Sequence, residues 1–194
     1  MKNYQSLFLV LALISSMSAL QLKSQSQMSQ AVNLIVNGDF KINSVPAGEE
    51  YTFQTEVVGW ITDDEVEVGS GNIYNSNWEE GTIIVELDGK DNDSISQIVK
   101  VTEDKLCKLS WRYAATFPRK SSCELRVDFN GAKIFQIDLS DDYQIHTKEI
   151  DVALVQGNNI FSFEAFNPEL ADGYGINITD VKLVCDGAII QEEC

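Results

Sequence analysis

Apolar and polar residues alternate with a period of two in nearly every segment of this chain, and this restricts the fold more than any other feature. Leu109, Trp111 and Tyr113 share one face of such a strand, and the residues between them are Ser and Arg. Beyond the N-terminal segment, no window of about a dozen residues shows the apolar spacing of an amphipathic helix. The pattern predicts an all-β sandwich of about eight to ten strands.

Two short turn sequences predict where strands reverse. Asn130-Gly131 is a strong hairpin signal because both residue types tolerate positive φ. Gly157-Asn158-Asn159 separates two apolar runs in the same way, so both pairs of flanking runs are expected to form hairpins. Helical turns are expected only within Ile42–Gln54 or Pro168–Ala171.

The N-terminal segment has the order of a secretory signal: Lys2, an apolar run from Leu7 to Ile14, then small residues. We predict a signal peptide over 1–18, a polar leader over 19–32, one domain over 33–185 and a C-terminal tail over 186–194. The apolar run is shorter than the roughly 20 residues of a membrane span. We therefore expect a secreted, soluble protein that is extracellular or at the cell surface.

The chain is strongly acidic, with 14 Lys plus Arg against 30 Asp plus Glu and a net charge of −16. Nucleic acid and anionic membranes are bound by clustered positive charge, so neither is an expected partner. The acidic residues are scattered through the chain, as expected of a solubilising surface.

The order of seven short motifs resembles the galactose-binding-like jelly rolls of carbohydrate-binding module families four and nine, and of the related plant cell-wall domain family of unknown function. The motifs that carry this resemblance are Asn33–Phe40, Gly59-Trp60, Gly81–Gly89, Ser94–Val99, Leu109–Ala115, Val127–Gly131 and Asp172–Val184. The resemblance covers nearly all of the predicted domain. It implies a jelly-roll β-sandwich in which the first and last motifs are the first and last strands.

Four cysteines, Cys107, Cys123, Cys185 and Cys194, lie in the predicted secreted part, where disulfides are the default. They allow three pairings, and their spacing fits no zinc module. In a jelly roll the strand that holds Cys107 runs antiparallel to the last strand, and this implies a Cys107–Cys185 pair. Cys194 then joins Cys123, or the tail closes on Cys185 instead.

The sequence carries no catalytic signature, and we predict that the protein is not an enzyme. His146 is the only histidine, and no nucleophile elbow or phosphate-binding glycine loop is present. The expected role of His146 is that of an ordinary surface or edge residue. Paired carboxylates of a glycosidase need a fixed spacing across a cleft, and no pair stands out.

A sugar ring packs its C–H face on an aromatic plane, so the three tryptophans are the first candidates for a ligand site. Trp111 is expected in the core, and Trp60 is expected to close one end of the sandwich. Trp78 lies in a polar loop, where it is either a stacking platform with Tyr74, Asn75 and Asn77 or a lid packed over the end of the core.

A second candidate surface is the outward face of the sheet that contains Arg126, Asp128, Gln136 and Glu164. In the modules that this chain resembles, that face is a sugar-binding cleft. Tyr143 stands near the position of a common family tryptophan and is either a rim aromatic or a plug at a strand end.

The resemblance also implies a structural calcium ion, but two of its carboxylate positions hold Lys41 and Thr179. A hard cation needs several oxygen ligands, preferably charged. We therefore expect no cofactor, and we expect Lys41 to form a salt bridge with one of the nearby acids Asp39, Asp172 and Asp180.

Two sequons are available for glycosylation if the source is a eukaryote, at Asn92 and Asn177. The leading hypothesis is a secreted, non-catalytic module that binds cell-surface or extracellular polysaccharide, and the expected partner is a carbohydrate or an extracellular glycoprotein. The alternatives are a structural or adhesive domain that binds protein partners and has no sugar site, and a hydrolase or inhibitor with no visible motif. A sugar binder should expose Trp78 or Tyr143, whereas an adhesive domain should show a flat patch and an occluded loop.

Overall fold

The structure of the protein is a computed structural model that describes residues 32–43, 45–47, 49–88, 92–116, 124–139, 142–166 and 175–185. These residues contain eleven strands and one short helix, α1, at Gly71–Tyr74. The strands are β1 Tyr51–Gln54, β2 Ile61–Thr62, β3 Val66–Ser70, β4 Ile83–Glu86, β5 Ser94–Val101, β6 Lys105–Ala115, β7 Glu124–Phe129, β8 Ala132–Asp138, β9 His146–Leu154, β10 Gly157–Ala165 and β11 Ile176–Cys185.

The strands form two antiparallel sheets that pack as a jelly-roll β-sandwich, which confirms the predicted fold class. The six-stranded sheet has the order β1-β3-β4-β11-β6-β9, and the five-stranded sheet has the order β2-β5-β10-β7-β8. The strand number slightly exceeds the prediction because two edge strands, β1 and β2, are only four and two residues long. The position of the helix also differs from the prediction, because it lies at Gly71–Tyr74. The described part of 42–54 contains β1, and 168–171 lie outside the described residues.

The core between the sheets is built on aromatic side chains. Trp111 is fully buried, as predicted, and its ring centre lies 5.3 Å from that of Phe135 and 5.5 Å from that of Phe163. Trp60 packs against Phe40 at 5.6 Å and Phe163 at 6.1 Å and is 6% exposed. Both tryptophans therefore stabilise the sandwich and are closed to a ligand.

The first motif, 33–40, pairs with the last strand, but it is not itself a strand. Leu34 N–H donates to the carbonyl of Leu183 (2.8 Å), and Val181 N–H donates to the carbonyl of Gly38 (2.9 Å). Positive φ values at Asn37 (49°) and Phe40 (55°) turn the backbone away from extended geometry. Gly38 is needed here because a Cβ would lie 2.0 Å from the carbonyl oxygen of Val181.

Only one of the two predicted hairpins forms. Asn130 and Gly131 have φ values of 50° and 78° and join β7 to β8 as a hairpin. The prediction for Gly157-Asn158-Asn159 is wrong, because β9 pairs with β6 in one sheet and β10 pairs with β5 and β7 in the other. The turn is a corner between the sheets.

The side chain of Asn159 explains why this turn changes sheets. Asn159 is fully buried; its Nδ2 donates to the carbonyl of Val155 (2.8 Å), and its Oδ1 accepts from the N–H of Val155 (3.0 Å). These bonds satisfy both backbone groups of Val155, which a hairpin would satisfy across the strands. The side chain therefore replaces a ladder partner at the corner.

We expect Asn159→Ala to lower the free energy of unfolding by about 2 kcal/mol, because it removes the two hydrogen bonds that the fully buried Asn159 side chain makes to the backbone of Val155. Urea unfolding measures the change. Asn158→Ala is the matched control, because Asn158 is exposed on the same turn. Equal stability of the two variants would show that the corner does not depend on this side chain.

The predicted Cys107–Cys185 disulfide is present. Strands β6 and β11 run antiparallel and place these two residues directly opposite each other, as the resemblance implies. Cys123 and Cys194 lie outside the described residues, so their pairing stays a prediction.

Candidate functional site

Residues 71–82, which we call the strap, connect β3 to β4 and fold over the outward face of the six-stranded sheet. Tyr74 and Trp78 of the strap pack with Ile84 and Ala114 of the sheet. Tyr74 is 4% exposed and Trp78 is 3% exposed. The strap is a lid, as the second alternative expects, but it covers the outward face of the six-stranded sheet rather than the end of the core. Neither ring presents an open face, so the expectation of an exposed stacking platform at Trp78 and Tyr74 is corrected.

Polar contacts hold the strap closed. Nδ2 of Asn75 donates to the carbonyl oxygens of Ala115 (3.1 Å) and Tyr143 (2.7 Å), and Nδ2 of the exposed Asn77 donates to that of Tyr143 (3.1 Å). The predicted residues Asn77 and Tyr143 are therefore neighbours, joined through the backbone of Tyr143. The Tyr143 side chain is half-buried, and its role as a rim aromatic stays a prediction.

Arg112 of β6 adds a second anchor for the strap. Its Nη2 donates to both carboxylate oxygens of Glu79 at 2.8 Å, and its Nη1 lies 3.3 Å from Oδ2 of Asp180. The guanidinium carbon lies 4.9 Å from the centre of the Trp78 ring. The cation thus covers the remaining face of the tryptophan.

Beneath the strap lies a buried acidic pair that the sequence analysis missed. Glu67 of β3 and Glu86 of β4 are directly opposite each other and are 7% and 2% exposed. Burial raises the pKa of Glu86 to about 8 and also raises the pKa of Glu67. Single acids between apolar residues, in Val66-Glu67-Val68 and Val85-Glu86-Leu87, are the sequence signal that could have found them.

Hydrogen bonds satisfy both acids. The hydroxyl of Tyr74 donates to Glu67. Burial of the Tyr74 side chain raises its pKa, and the hydrogen bond to Glu67 raises it further. Glu86 Oε1 accepts from the hydroxyl of Thr116 and from the N–H of Gly175 (2.9 Å). The network joins strap, sheet and the segment before β11, and it is structural because it is closed to solvent.

One predicted glycosylation site belongs to this network. Asn177 is fully buried, and its Nδ2 donates to Oγ1 of Thr116 at 2.8 Å. A glycan on that nitrogen has no room in the folded domain, so the candidate Asn177 is corrected. Asn92 is exposed, and its modification stays a prediction.

The second predicted surface is assembled as expected on the outward face of the five-stranded sheet. Glu164 of β10, Arg126 of β7 and Gln136 of β8 are register neighbours on three adjacent strands. Asp128 lies two residues along β7 and receives two hydrogen bonds from Arg126, at 2.8 and 2.7 Å. We call these four residues the polar row.

The polar row is partly ordered and accessible. The side chains of Arg126, Asp128 and Glu164 are 30%, 17% and 40% exposed, and Glu164 lies 4.0 Å from Nε of Arg126. The hydrogen bonds to Asp128 raise the pKa of Arg126, which fixes its charge. The row presents one guanidinium, two carboxylates and one amide, all planar groups that suit the hydroxyls of a ligand.

His146 makes local contacts at the edge strand β9, as predicted for an edge histidine. Its Nε2 lies 2.9 Å from Oδ2 of Asp142, and its ring stacks on Tyr113 with centres 5.4 Å apart. The N–H of Gln144 lowers the pKa of Asp142, and His146 lowers it further. These contacts fix the turn before β9.

At the position of the implied calcium site, Lys41 forms the expected salt bridge with Asp39, at 3.8 Å. Asp180 instead binds Arg112, the hydroxyl of Thr179 donates to the carbonyl of Ile83 (2.7 Å), and Asp172 lies outside the described residues. No group of three or more His, Cys, Asp and Glu side chains in the described ranges is arranged to hold a metal ion. Weak or absent calcium binding stays a prediction.

No helix in the described part of the chain has the length and apolar character that a membrane span requires. The predicted signal peptide, most of the leader and the tail lie outside the described residues.

Comparison with curated proteins gives one distant relative. A multifunctional-autoprocessing repeats-in-toxin of Vibrio vulnificus is 29% identical over 167 residues, which are 84% of this chain and 3% of the toxin. The chain thus spans a very small part of this relative's length. No protein-family model matches the chain.

Solved structures with similar folds include carbohydrate-binding modules of family 35. The module from Clostridium thermocellum has 17% identity and a TM-score of 0.46, covering 70% of this chain and 98% of that chain. The one from Cellvibrio japonicus Abf62 has 23% identity and a TM-score of 0.42, covering 63% and 86%. Tailspike protein 4 of bacteriophage CBA120 has 11% identity and a TM-score of 0.47, covering 79% and 21%. These modules belong to family 35, so the more specific resemblance to families four and nine stays a prediction, and the fold assignment rests on strand order and pairing.

Proposed function

We propose that this protein is a secreted, non-catalytic module that binds cell-surface or extracellular polysaccharide through the polar row. The observation that carries the proposal is the register of Glu164, Arg126 and Gln136 across three adjacent strands of an open sheet face. A sugar exposes hydroxyls that both donate and accept hydrogen bonds, and a row that alternates carboxylate, guanidinium and amide offers both kinds of partner. These observations support a site on the sheet rather than in the strap.

Hydrogen bonds from neighbouring residues to Gln136 of the polar row support a binding role. Gln136 Oε1 accepts from Nζ of Lys133 (2.7 Å), and Gln136 Nε2 lies 3.4 Å from Oε2 of Glu124. Groups that are already oriented lose less side-chain entropy when a ligand binds. Several adjacent polar groups on neighbouring strands also favour an extended ligand over a single small molecule.

The alternative of an adhesive domain that binds protein partners is favoured by a different observation. Trp78 of the strap is buried against the sheet, so the loop is occluded as that alternative predicts. Aliphatic side chains are also exposed on the same sheet face as the polar row. The two functions differ in the residues on which they depend.

The test is a glycan array probed with the full-length chain, followed by calorimetry on any glycan that binds. Gln136→Ala and Arg126→Ala are each expected to weaken binding at least about tenfold, or about 1.4 kcal/mol, because each removes hydrogen bonds to the ligand. Lys182→Ala is the control, since Lys182 is exposed on the other sheet. A blank array with a folded protein, or equal loss in all three variants, would refute the sugar site.

A further inference from the structure

Three exposed isoleucines form an aliphatic patch beside the polar row. Ile61 of β2, Ile98 of β5 and Ile160 of β10 are 57%, 47% and 45% exposed. Ile98 and Ile160 are directly opposite each other, and Ile61 is opposite Ser96, which places it diagonally from Ile98. We call these three residues the aliphatic patch.

The patch departs from what a solvated sheet face requires. Outward positions of an antiparallel sheet are normally polar when they face water. Single exposed apolar residues are common, but here three adjacent strands each contribute one to a continuous surface. The neighbouring row on β5 and β10 holds Ser96 and Ser162, which are small and let a partner approach closely.

Acidic residues border the patch. Asp63 and Asp64 are exposed directly after β2, Asp63 N–H donates to the carbonyl of Ser94, and Glu164 is opposite Ser94, so these three acids lie on one side of the patch. Lys100, two residues beyond Ile98, is a cation on its other side. The whole chain has a net charge of −16. A second copy of this chain, or an anionic membrane, would be repelled over this surface, whereas a cationic partner would be attracted.

The strand spacing suggests the form of the partner. Ile61 and Ile160 are two strands apart and offset by two residues along the strands, so they are separated by about 12 Å, of which about 10 Å is across the sheet. Positions i and i+7 on one face of an α-helix are also about 10 Å apart along the axis. Aliphatic side chains at i, i+4 and i+7 of a helix can therefore contact all three isoleucines at once.

We propose that the aliphatic patch is a docking surface for a basic amphipathic helix of a partner protein. The apolar stripe of the helix packs on Ile61, Ile98 and Ile160, and its flanking Lys and Arg side chains meet Asp63, Asp64 and Glu164. This is the helix-on-apolar-surface mode of peptide recognition, with charge at the rim. The two proposed sites share Glu164, but Ile61, Ile98 and Ile160 are not part of the polar row, so substitutions of these isoleucines test docking separately from sugar binding.

The test uses a labelled synthetic amphipathic peptide of Leu and Lys, with fluorescence anisotropy against the full-length chain. The double variant Ile98→Ser/Ile160→Ser is expected to weaken binding at least about tenfold. Leu106→Ser is the matched control, since Leu106 is 62% exposed on the outward face of the other sheet. A peptide of the same pattern with Glu in place of Lys is expected not to bind.

Each other outcome overturns the proposal. The Leu/Lys peptide failing to bind, or binding equally to the double variant, removes the patch as its site. Equal binding of the Leu/Glu peptide removes the charge argument. A dimer in light scattering that the double variant dissociates, or binding to vesicles of phosphatidylserine and phosphatidylcholine, assigns the patch to another occupant. Glycan binding by the double variant tells this failure apart from failure of the sugar site.

Discussion

Removing the Cys107–Cys185 disulfide is expected to lower the free energy of unfolding by about 4 kcal/mol, because it closes a loop with a sequence separation of 78 residues. In the chain-entropy account, a cross-link between distant residues restricts the unfolded ensemble, and the effect grows slowly with loop length. A loss of about 4 kcal/mol is a large part of the 5–15 kcal/mol typical of a domain. The two cysteines are buried on the adjacent strands β6 and β11, so reduction also removes a covalent link between two inner strands of the six-stranded sheet.

The measurement is urea unfolding of Cys107→Ala/Cys185→Ala against its parent, both carrying Cys123→Ser and Cys194→Ser so that no other pairing can form. The m-value reports whether the unfolded state has expanded, as the entropic account requires. Reduction of the parent with dithiothreitol should give the same stability as the alanine variant, apart from the small change in side-chain volume. A loss below about 1 kcal/mol would mean that the sheet constrains these strands without the bond.

The second large effect is a pH dependence that originates in Glu86. The free energy of unfolding is expected to fall as the pH rises from about 4.5, the ordinary pKa of Glu, to about 8, the pKa of Glu86 in the folded domain. Between these values the unfolded state has released the Glu86 proton and the folded state still holds it. The unfolded state therefore binds fewer protons, so stability is fully present below the lower value and is lost towards the upper one.

The size of the effect follows from the shift in pKa. A rise from 4.5 to about 8 corresponds to a loss on the order of 5 kcal/mol across the interval. Glu67 acts in the same direction because its pKa is also raised, and the two acids are cross-strand neighbours whose ionised forms repel each other. The strap lies directly above them, so its contacts are the first expected to loosen.

Stability measured from pH 5.5 to 9 in wild type and Glu86→Gln checks this expectation. Glutamine keeps the oxygen that accepts from Thr116 and Gly175 but cannot ionise, so the variant should lose most of the slope and exceed wild type above pH 8. Glu79→Gln is the control. Hydrogen bonds from Arg112 lower the pKa of the exposed Glu79, so this residue does not reduce the free energy of unfolding as the pH rises. A flat wild-type profile, or the same slope in Glu86→Gln, would contradict the assignment.

Much of the fold could be predicted from the residues because its signals are local. Alternation over 109–113 placed Trp111 in the core, and Asn130-Gly131 formed its hairpin, since both depend only on nearby backbone geometry. The turn at 157–159 looked similar but became a corner, because the buried side chain of Asn159 took the place of a cross-strand partner. Whether the turn forms a hairpin or a corner depends on which strands β9 and β10 pair with, and the local sequence does not specify those partners.

The same lack of information about distant contacts decided which candidate sites could be predicted from the sequence. Outward residues of β7, β8 and β10 could be grouped by alternation, and Arg126, Asp128, Gln136 and Glu164 do lie together. Trp78 was chosen as a candidate ligand-binding residue because its neighbours in the sequence are polar, yet it is buried. Its apolar contacts come from Ile84 of β4 and from Ala114 of β6, which is far away in the sequence. A polar loop sequence does not reveal which distant surface the loop covers.

The sequence by itself determined the class of the fold and the faces of its strands, because residue period is a property of the linear chain. The pairing of Cys107 with Cys185 was implied only by the family resemblance, and the structure chose it over the alternative in which the tail closes on Cys185. The tertiary structure alone decided that the strap closes over the six-stranded sheet, that Glu67 and Glu86 are buried opposite each other and that three isoleucines meet on an open face. These features depend on contacts between segments far apart in the chain, where burial and neighbouring charge are set only once the two sheets have packed.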